Sequence, residues 1–148
     1  MLLPFTDGLM VTSPFDPEMA KLADRHYSRR KVGSPQFANN GRKLILRNAE
    51  GTVLFVWMYP RPELRWDHQR GYNCAMFRNE SVRQSSDLIR EAEAFAFEKW
   101  GPNRLYTYVD ASKIRSPNAG YCFQMAGWTK HKERSKTGKI LLSKEDPV

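Results

Sequence analysis

The run Val53-Leu54-Phe55-Val56-Trp57-Met58 places six apolar side chains in succession. Successive side chains of a strand point to opposite faces, so a strand with one face in water alternates apolar and polar residues. An unbroken apolar run of this length fits a central strand covered on both faces. That requires helices on each side of a sheet, and the rest of the chain supplies them. Leu9 to Thr12 reads as a short first strand. Asp16-Pro17-Glu18 then opens a helix: Asp can cap the free amides, Pro suits the first turn, and Glu faces the positive end of the dipole. Met19, Leu22, Ala23 and His26 follow at helical spacing, which puts His26 near the helix end on its apolar stripe.

Ser28 to Arg42 reads as a loop, rich in turn formers. A hairpin follows, Lys43 to Arg47 and Thr52 to Tyr59 around Asn48-Ala49-Glu50-Gly51. Pro60 to Arg70 is a second, charged loop containing Trp66 and His68, and Tyr72 to Phe77 is a fourth strand. Ser85-Ser86-Asp87 is expected to cap a second helix, with Leu88, Ile89, Ala92, Phe95, Ala96 and Trp100 as its buried stripe and Gly101-Pro102 as its stop. Leu105 to Val109 is a fifth strand ending at Asp110. Asn118 to Ala126 reads as a short helix stopped by Gly127, and Trp128 to Glu133 with Lys139 to Ser143 as a closing hairpin. Strands alternating with helices imply an α/β fold: a central mixed, twisted sheet flanked by helices.

The 148 residues suit one domain spanning 1–148. Hydrophobic residues at 41% and aromatics at 12% give the chain enough apolar surface to exclude disorder. The net charge of +8, from 24 Lys and Arg against 16 Asp and Glu, favours polyanionic partners: nucleic acid, or an anionic cofactor such as coenzyme A. No apolar run approaches the roughly 20 residues that span a bilayer. Met1 to Phe5 is too short for a signal-peptide core, so a cytoplasmic location without membrane contact is expected. Cys74 and Cys122 form no disulfide or metal framework and read as buried thiols.

Ligands of α/β sheets gather at the carboxyl ends of strands. Asp110 stands at one such end, and Asn79 and Glu80 follow another. The polar stretch between the fourth strand and the second helix offers backbone amides to an anion, with Ser85 and Ser86 adding hydroxyls. Ser is equally a preferred cap, and a helix-end His is often structural, so both residue types also have an architectural reading.

Asn118-Ala119-Gly120-Tyr121-Cys122-Phe123-Gln124-Met125-Ala126-Gly127-Trp128 resembles the segment of GNAT acetyltransferases in which Asn begins a helix and an aromatic follows the Gly that ends it. Those enzymes usually carry a glycine pair where this chain reads Arg83-Gln84-Ser85-Ser86-Asp87-Leu88. The resemblance implies a GNAT-like single domain. A narrower resemblance, over roughly residues 22 to 128, is to the bacteriophage Mom family of GNAT-like DNA-modifying proteins. It is carried by His26-Tyr27-Ser28, by Arg78-Asn79-Glu80-Ser81, and by Tyr108-Val109-Asp110 followed by the Gly120 to Trp128 stretch. It implies carbamoylmethylation of the adenine N6 amine in double-stranded DNA, which shields phage DNA from restriction.

That amine is a poor nucleophile, so its modification calls for a base or an activating ion and for removal of the adenine from the stack. His26 is expected to titrate near neutrality and accept a proton. Asp110 would orient it, or join it in holding a metal such as iron. Tyr27 would stack on the extruded base, and Asn79 and Glu80 would hold its edge or the donor. The donor itself is left open, a CoA-type thioester among the candidates. His26, His68 and His131 share no compact metal-binding spacing. Arg29, Arg30, Lys31, Arg42, Lys113 and Arg115 would contact phosphates, with Lys130, Lys132, Arg134 and Lys136 extending the track. Trp66 would wedge or stack on DNA. Two rival functions stand beside this one. The first is an acyl-CoA-dependent N-acetyltransferase of an amine or protein. The second is a non-catalytic basic DNA-binding module on the same scaffold.

Overall fold

The computed structural model describes residues 8–26, 29, 32–38, 41–61, 69–113 and 118–146. Tyr27, Arg30, Lys31, Trp66, His68 and Arg115 lie outside them. Among the described residues, seven strands form one sheet in the order β1-β2-β3-β4-β5-β7-β6. They are β1 Leu9–Thr12, β2 Lys43–Asn48, β3 Val53–Met58, β4 Tyr72–Asn79, β5 Leu105–Val109, β6 Thr129–Arg134 and β7 Ile140–Lys144. The helices are α1 Pro17–Asp24, α2 Ser85–Trp100 and α3 Tyr121–Met125. The pairing is antiparallel except between β4 and β5, which are joined through α2. This is the α/β layout with a mixed, helix-flanked sheet that the alternation of elements implies.

The β3 run is buried along its whole length. Val53, Phe55 and Trp57 face α2 with Leu88, Ile89, Ala92 and Ala96. Leu54, Val56 and Met58 face the other way, onto Met19, Leu22 and Ala23 of α1. The two faces of one strand thus feed two cores, which is why its sequence has no polar alternation. Trp57 also donates its indole N–H to the Ala92 carbonyl at 2.8 Å, so a buried polar atom fixes the α2 register.

Asp16 caps α1 as expected, accepting from the Glu18 and Met19 amides. It also accepts from Arg47 of β2 at 2.9 Å, in a pair whose side chains are nine-tenths buried. Asn48 closes the β2–β3 hairpin by accepting from the Thr52 and Val53 amides.

Two expected boundaries shift. The N-cap of α2 is Gln84, with no side-chain bond to the first amides, and Ser85, Ser86 and Asp87 lie inside the first turn. The Ser85 hydroxyl is instead taken by the Asn79 amide, which draws it back toward β4. The third helix begins at Tyr121 rather than Asn118, because Gly120 adopts a left-handed conformation that a helix cannot include.

Candidate active site

The β4–β5 ladder runs for three residue pairs, from Tyr72↔Leu105 to Cys74↔Thr107. Beyond it, β4 stays paired with β3 and β5 with β7, but not with each other. A bulge marks the point of departure. Val56 faces Met76 and Trp57 faces Cys74, so Ala75 is an extra residue on β4. A bulge bends its strand and raises the local twist. The facing edges of β4 and β5 therefore part, and a cleft of about 130 Å³ opens between them.

Cys74, Ala75, Met76 and Phe77 line one wall of this cleft, and Thr107, Tyr108 and Val109 the other. Gly120, Cys122 and Phe123 contribute from the α3 side, and His26 from the end of α1. Peptide groups on the parted edges have no strand partner across the gap. They can pair with a ligand that carries amides, as an added strand would. The first turn of α2, which follows β4 in the chain, has no side-chain cap, and the start of a helix offers amides and a positive dipole end to an anion.

His26 is held here by an ionic knot. Glu80 accepts from Arg25 through both carboxylate oxygens, at 2.7 and 2.9 Å, and from Arg78 at 2.7 Å. Arg78 also donates to the Arg25 carbonyl at 2.9 Å. These bonds tie the end of α1 to the end of β4. Charge-assisted bonds to both arginines hold the Glu80 carboxyl down to about 2. Burial, together with the Arg78 charge, pulls the His26 imidazole down to about 4. The expectation that it titrates near neutrality is therefore corrected: desolvation and a neighbouring cation both disfavour the imidazolium, and the ring is neutral at pH 7.

The other expected site residues divide. Asn79 organises the turn into α2, donating to the Arg83 carbonyl and accepting from the amide and hydroxyl of Ser81. Ser86 is buried and Ser85 half-buried. Asp110 leaves β5 and accepts from the Ser112 amide and hydroxyl, which hold its carboxyl below the usual range. It sits next to Val109 in the chain but outside the lining of the cleft that holds His26. Among the described residues, no three His, Cys, Asp or Glu side chains gather as a metal site would need.

Of the expected phosphate-binding residues, Arg29 is turned inward, its side chain only 6% exposed. It donates to Asp24 and to the Ser34 and Gln36 carbonyls, and so braces the following loop instead of facing a partner. The Arg42 guanidinium lies 3.8 Å above the Tyr59 ring, and Lys113 is exposed.

Sequence reasoning missed most of the cleft lining, including Thr107, Cys74 and Cys122 as wall residues. Burial pushes both thiols up, so neither is ionised at neutral pH. The described helices include none long and apolar enough to cross a membrane.

No protein-family model and no curated protein sequence matches the chain. Solved structures do. One is the aminoglycoside acetyltransferase AAC(6')-Ib in complex with coenzyme A, at 12% identity and a TM-score of 0.67, covering 93% of this chain and 94% of that one. Another is the Corynebacterium glutamicum "histone acetyltransferase HPA2 and related acetyltransferase", at 11% identity and a TM-score of 0.56, covering 97% and 98%. At these identities the likeness is one of architecture, and it extends over nearly the whole of each chain. The seven-stranded mixed sheet, parted between β4 and β5 and flanked by helices, is the GNAT acetyltransferase fold.

Proposed function

We propose that the protein transfers an acyl group from a CoA-type thioester, held between β4 and β5, to an amine. The observation that carries this reading is the parting of those two strands beyond Cys74 and Thr107, where the β4–β5 ladder ends and both strands line one cleft. An amide-bearing arm fits such a cleft, and the uncapped amides at Ser85 and Ser86 suit its phosphates. They can do so without the usual glycine pair. The donor would supply an acyl carbon bonded to sulfur, an electrophile whose thiolate leaves readily.

The acceptor amine must reach the acyl carbon as a free base and lose a proton on attack. His26 stays neutral well below pH 7, so its ring can accept a hydrogen bond from that amine. An imidazole with so low a pKa is a weak base, so its main contribution is to align the nucleophile. Tyr108, also in the lining, carries a phenol suited to give its proton to the departing sulfur, and the proton shed by the amine on forming the amide restores the phenol, directly or through solvent.

Calorimetry with acetyl-CoA, followed by thiol-release assays across a panel of amines, tests this directly. Saturable binding and amine-dependent thiol release are expected. Folded protein that binds neither acetyl-CoA nor CoA would overturn the proposal.

A second reading changes acceptor and donor alike: the adenine N6 amine of double-stranded DNA gains a carbamoylmethyl group, as the Mom-like resemblance implies, by displacement at the CH2 carbon of an activated donor rather than by attack on a thioester carbonyl. The excess of eight positive charges favours it, since duplex DNA attracts such a surface. Mass spectrometry of nucleosides from plasmid recovered after expression would show a carbamoylmethyl-sized addition to deoxyadenosine. Unmodified adenine alongside soluble, folded protein would remove this reading and leave the first intact.

A further inference from the structure

A second concavity, of about 630 Å³, lies where β5 meets the β6–β7 hairpin. Tyr108, Leu141 and His131 lie along it, one from each of three neighbouring strands, and Tyr108 and Leu141 are register partners. All three are half-buried. The His131 ring is fixed by a 2.6 Å bond between Nε2 and the Ser143 hydroxyl. Lys132, Arg134 and Lys136 rise from the hairpin beside them, against one carboxylate, Glu133. Among the described residues none of these three cations is ion-paired, whereas Arg104 at the far end is matched by Glu145.

We propose that this groove binds single-stranded nucleic acid, with phosphates against Lys132, Arg134 and Lys136 and a base against Tyr108 and His131. A basic wall beside flat rings is the arrangement that holds a strand without reading its sequence. The volume suits a nucleotide unit, within the roughly 300–1,000 Å³ range of ligand pockets. A duplex offers a base to the floor of a concavity only by extruding it at the cost of unstacking and unpairing, a cost a single strand does not carry. An acidic peptide would be drawn elsewhere. It binds best by adding to a sheet edge, and the free edge here is the outer side of β6, not the face where the groove lies.

Tyr108 also belongs to the lining of the β4–β5 cleft, so the groove and the cleft meet at one residue. A strand lying in the groove would present its terminal base or sugar to the cleft mouth. The binding itself does not depend on acyl transfer.

Fluorescence anisotropy of a labelled oligodeoxythymidylate of roughly 12 nucleotides, at about 100 mM salt, tests the assignment. The full chain is compared with the exposed triple variant K132A/R134A/K136A and with R90A/K99A, a charge-removal control on α2. The triple variant should bind at least about tenfold more weakly, with a shallower salt dependence, because each lost phosphate contact removes counterion release. The control should stay within about twofold of the parent. A triple variant that binds like the parent would overturn the proposal. So would tighter binding of the matching duplex, equal competition by polyglutamate, or equal competition by free thymidine monophosphate. Circular dichroism of each variant separates lost binding from lost folding.

Discussion

The Thr107 hydroxyl donates to the Cys74 carbonyl at 2.8 Å, at the last residue pair before β4 and β5 part. A side chain therefore reinforces the ladder where it ends. Thr107 is buried, so replacing it with Val keeps its shape and removes one internal bond. Thr107→Val should cost about 1–2 kcal/mol, the usual loss for a buried hydrogen bond whose acceptor stays behind. It should also weaken acetyl-CoA binding, because the apex of the cleft is no longer fixed. Urea titration and calorimetry read the two effects. An unchanged unfolding midpoint would mean that backbone pairing alone holds the apex.

The base of the same ladder depends on Gly71. Its φ is +105°, and an added Cβ would stand 1.9 Å from the Arg104 carbonyl oxygen. That oxygen accepts from the Tyr72 amide at 2.8 Å, so it cannot retreat without loosening the start of β4. Gly71→Ala should destabilise the fold by about 3 kcal/mol or more, through backbone strain and the clash together. Thermal unfolding measures this. Gly138→Ala makes a useful comparison, since its φ is also positive but no atom lies within 4 Å of the added methyl. It should lose only the conformational part.

What the sequence revealed, and what it hid, follows from the range of the interactions involved. The β3 run and the Asp16-Pro17-Glu18 start of α1 were legible because burial and capping are written in neighbouring residues. The missed cap at Gln84 and the late start of α3 arise from contacts between segments. Asn79 pulls Ser85 back, and Gly120 packs against Leu142 too closely for a side chain. The Ala75 bulge left no local mark, because it is defined only by pairing with β3. His26 was legible as a candidate, but its pKa was not: Arg78 lies 52 residues along the chain from it, and nothing in the spacing announces their approach. Asp110 was singled out by its place at a strand end, a rule that locates the neighbourhood of a site without saying which way a side chain turns.

That depressed imidazole makes stability depend on pH. Folded His26 titrates at about 4 and the unfolded residue at about 6.5. Between those values the unfolded chain binds a proton that the folded chain refuses, so stability falls as pH drops through this window. Above 6.5 the effect is absent, and below 4 it is complete, at up to about 3 kcal/mol. Glu80 adds a later loss. Its contribution is present above 4.5 and disappears as pH falls through 2. Denaturation across pH 7 to 5 should show a slope that His26→Gln flattens, since Glu80 is silent there. If the variant keeps the parent slope, another group is responsible. The proposed transfer reaction, for its part, should show no inflection near pH 6.5 from this residue.

Glu93 links the far side of the cleft to the core. It is a carboxylate only 6% exposed on the buried face of α2, and it accepts from the Trp128 indole at 2.9 Å and from Lys144 at 2.8 Å. Lys144 in turn donates to the Ala126 carbonyl at the end of α3. The chain α2–Glu93–Lys144–Ala126 therefore pins α3, whose residues Cys122 and Phe123 line the cleft. Removing one partner of a buried ion pair leaves the other uncompensated and typically costs about 3–5 kcal/mol. Lys144 is one-third exposed and can turn to water, so about 2–3 kcal/mol is the expected loss for Glu93→Leu. Glu93→Gln keeps an acceptor for the Trp128 indole and should lose less, about 1 kcal/mol. Both variants should free α3 and speed alkylation of the half-buried Cys122 relative to Cys74, with Leu the faster of the two. Mass-spectrometric labelling of the two thiols reports this. Equal Cys122 rates in all three proteins would show that α3 is held without this link, by the Phe123 and Trp128 packing and by the Arg90 bond to the Met125 carbonyl.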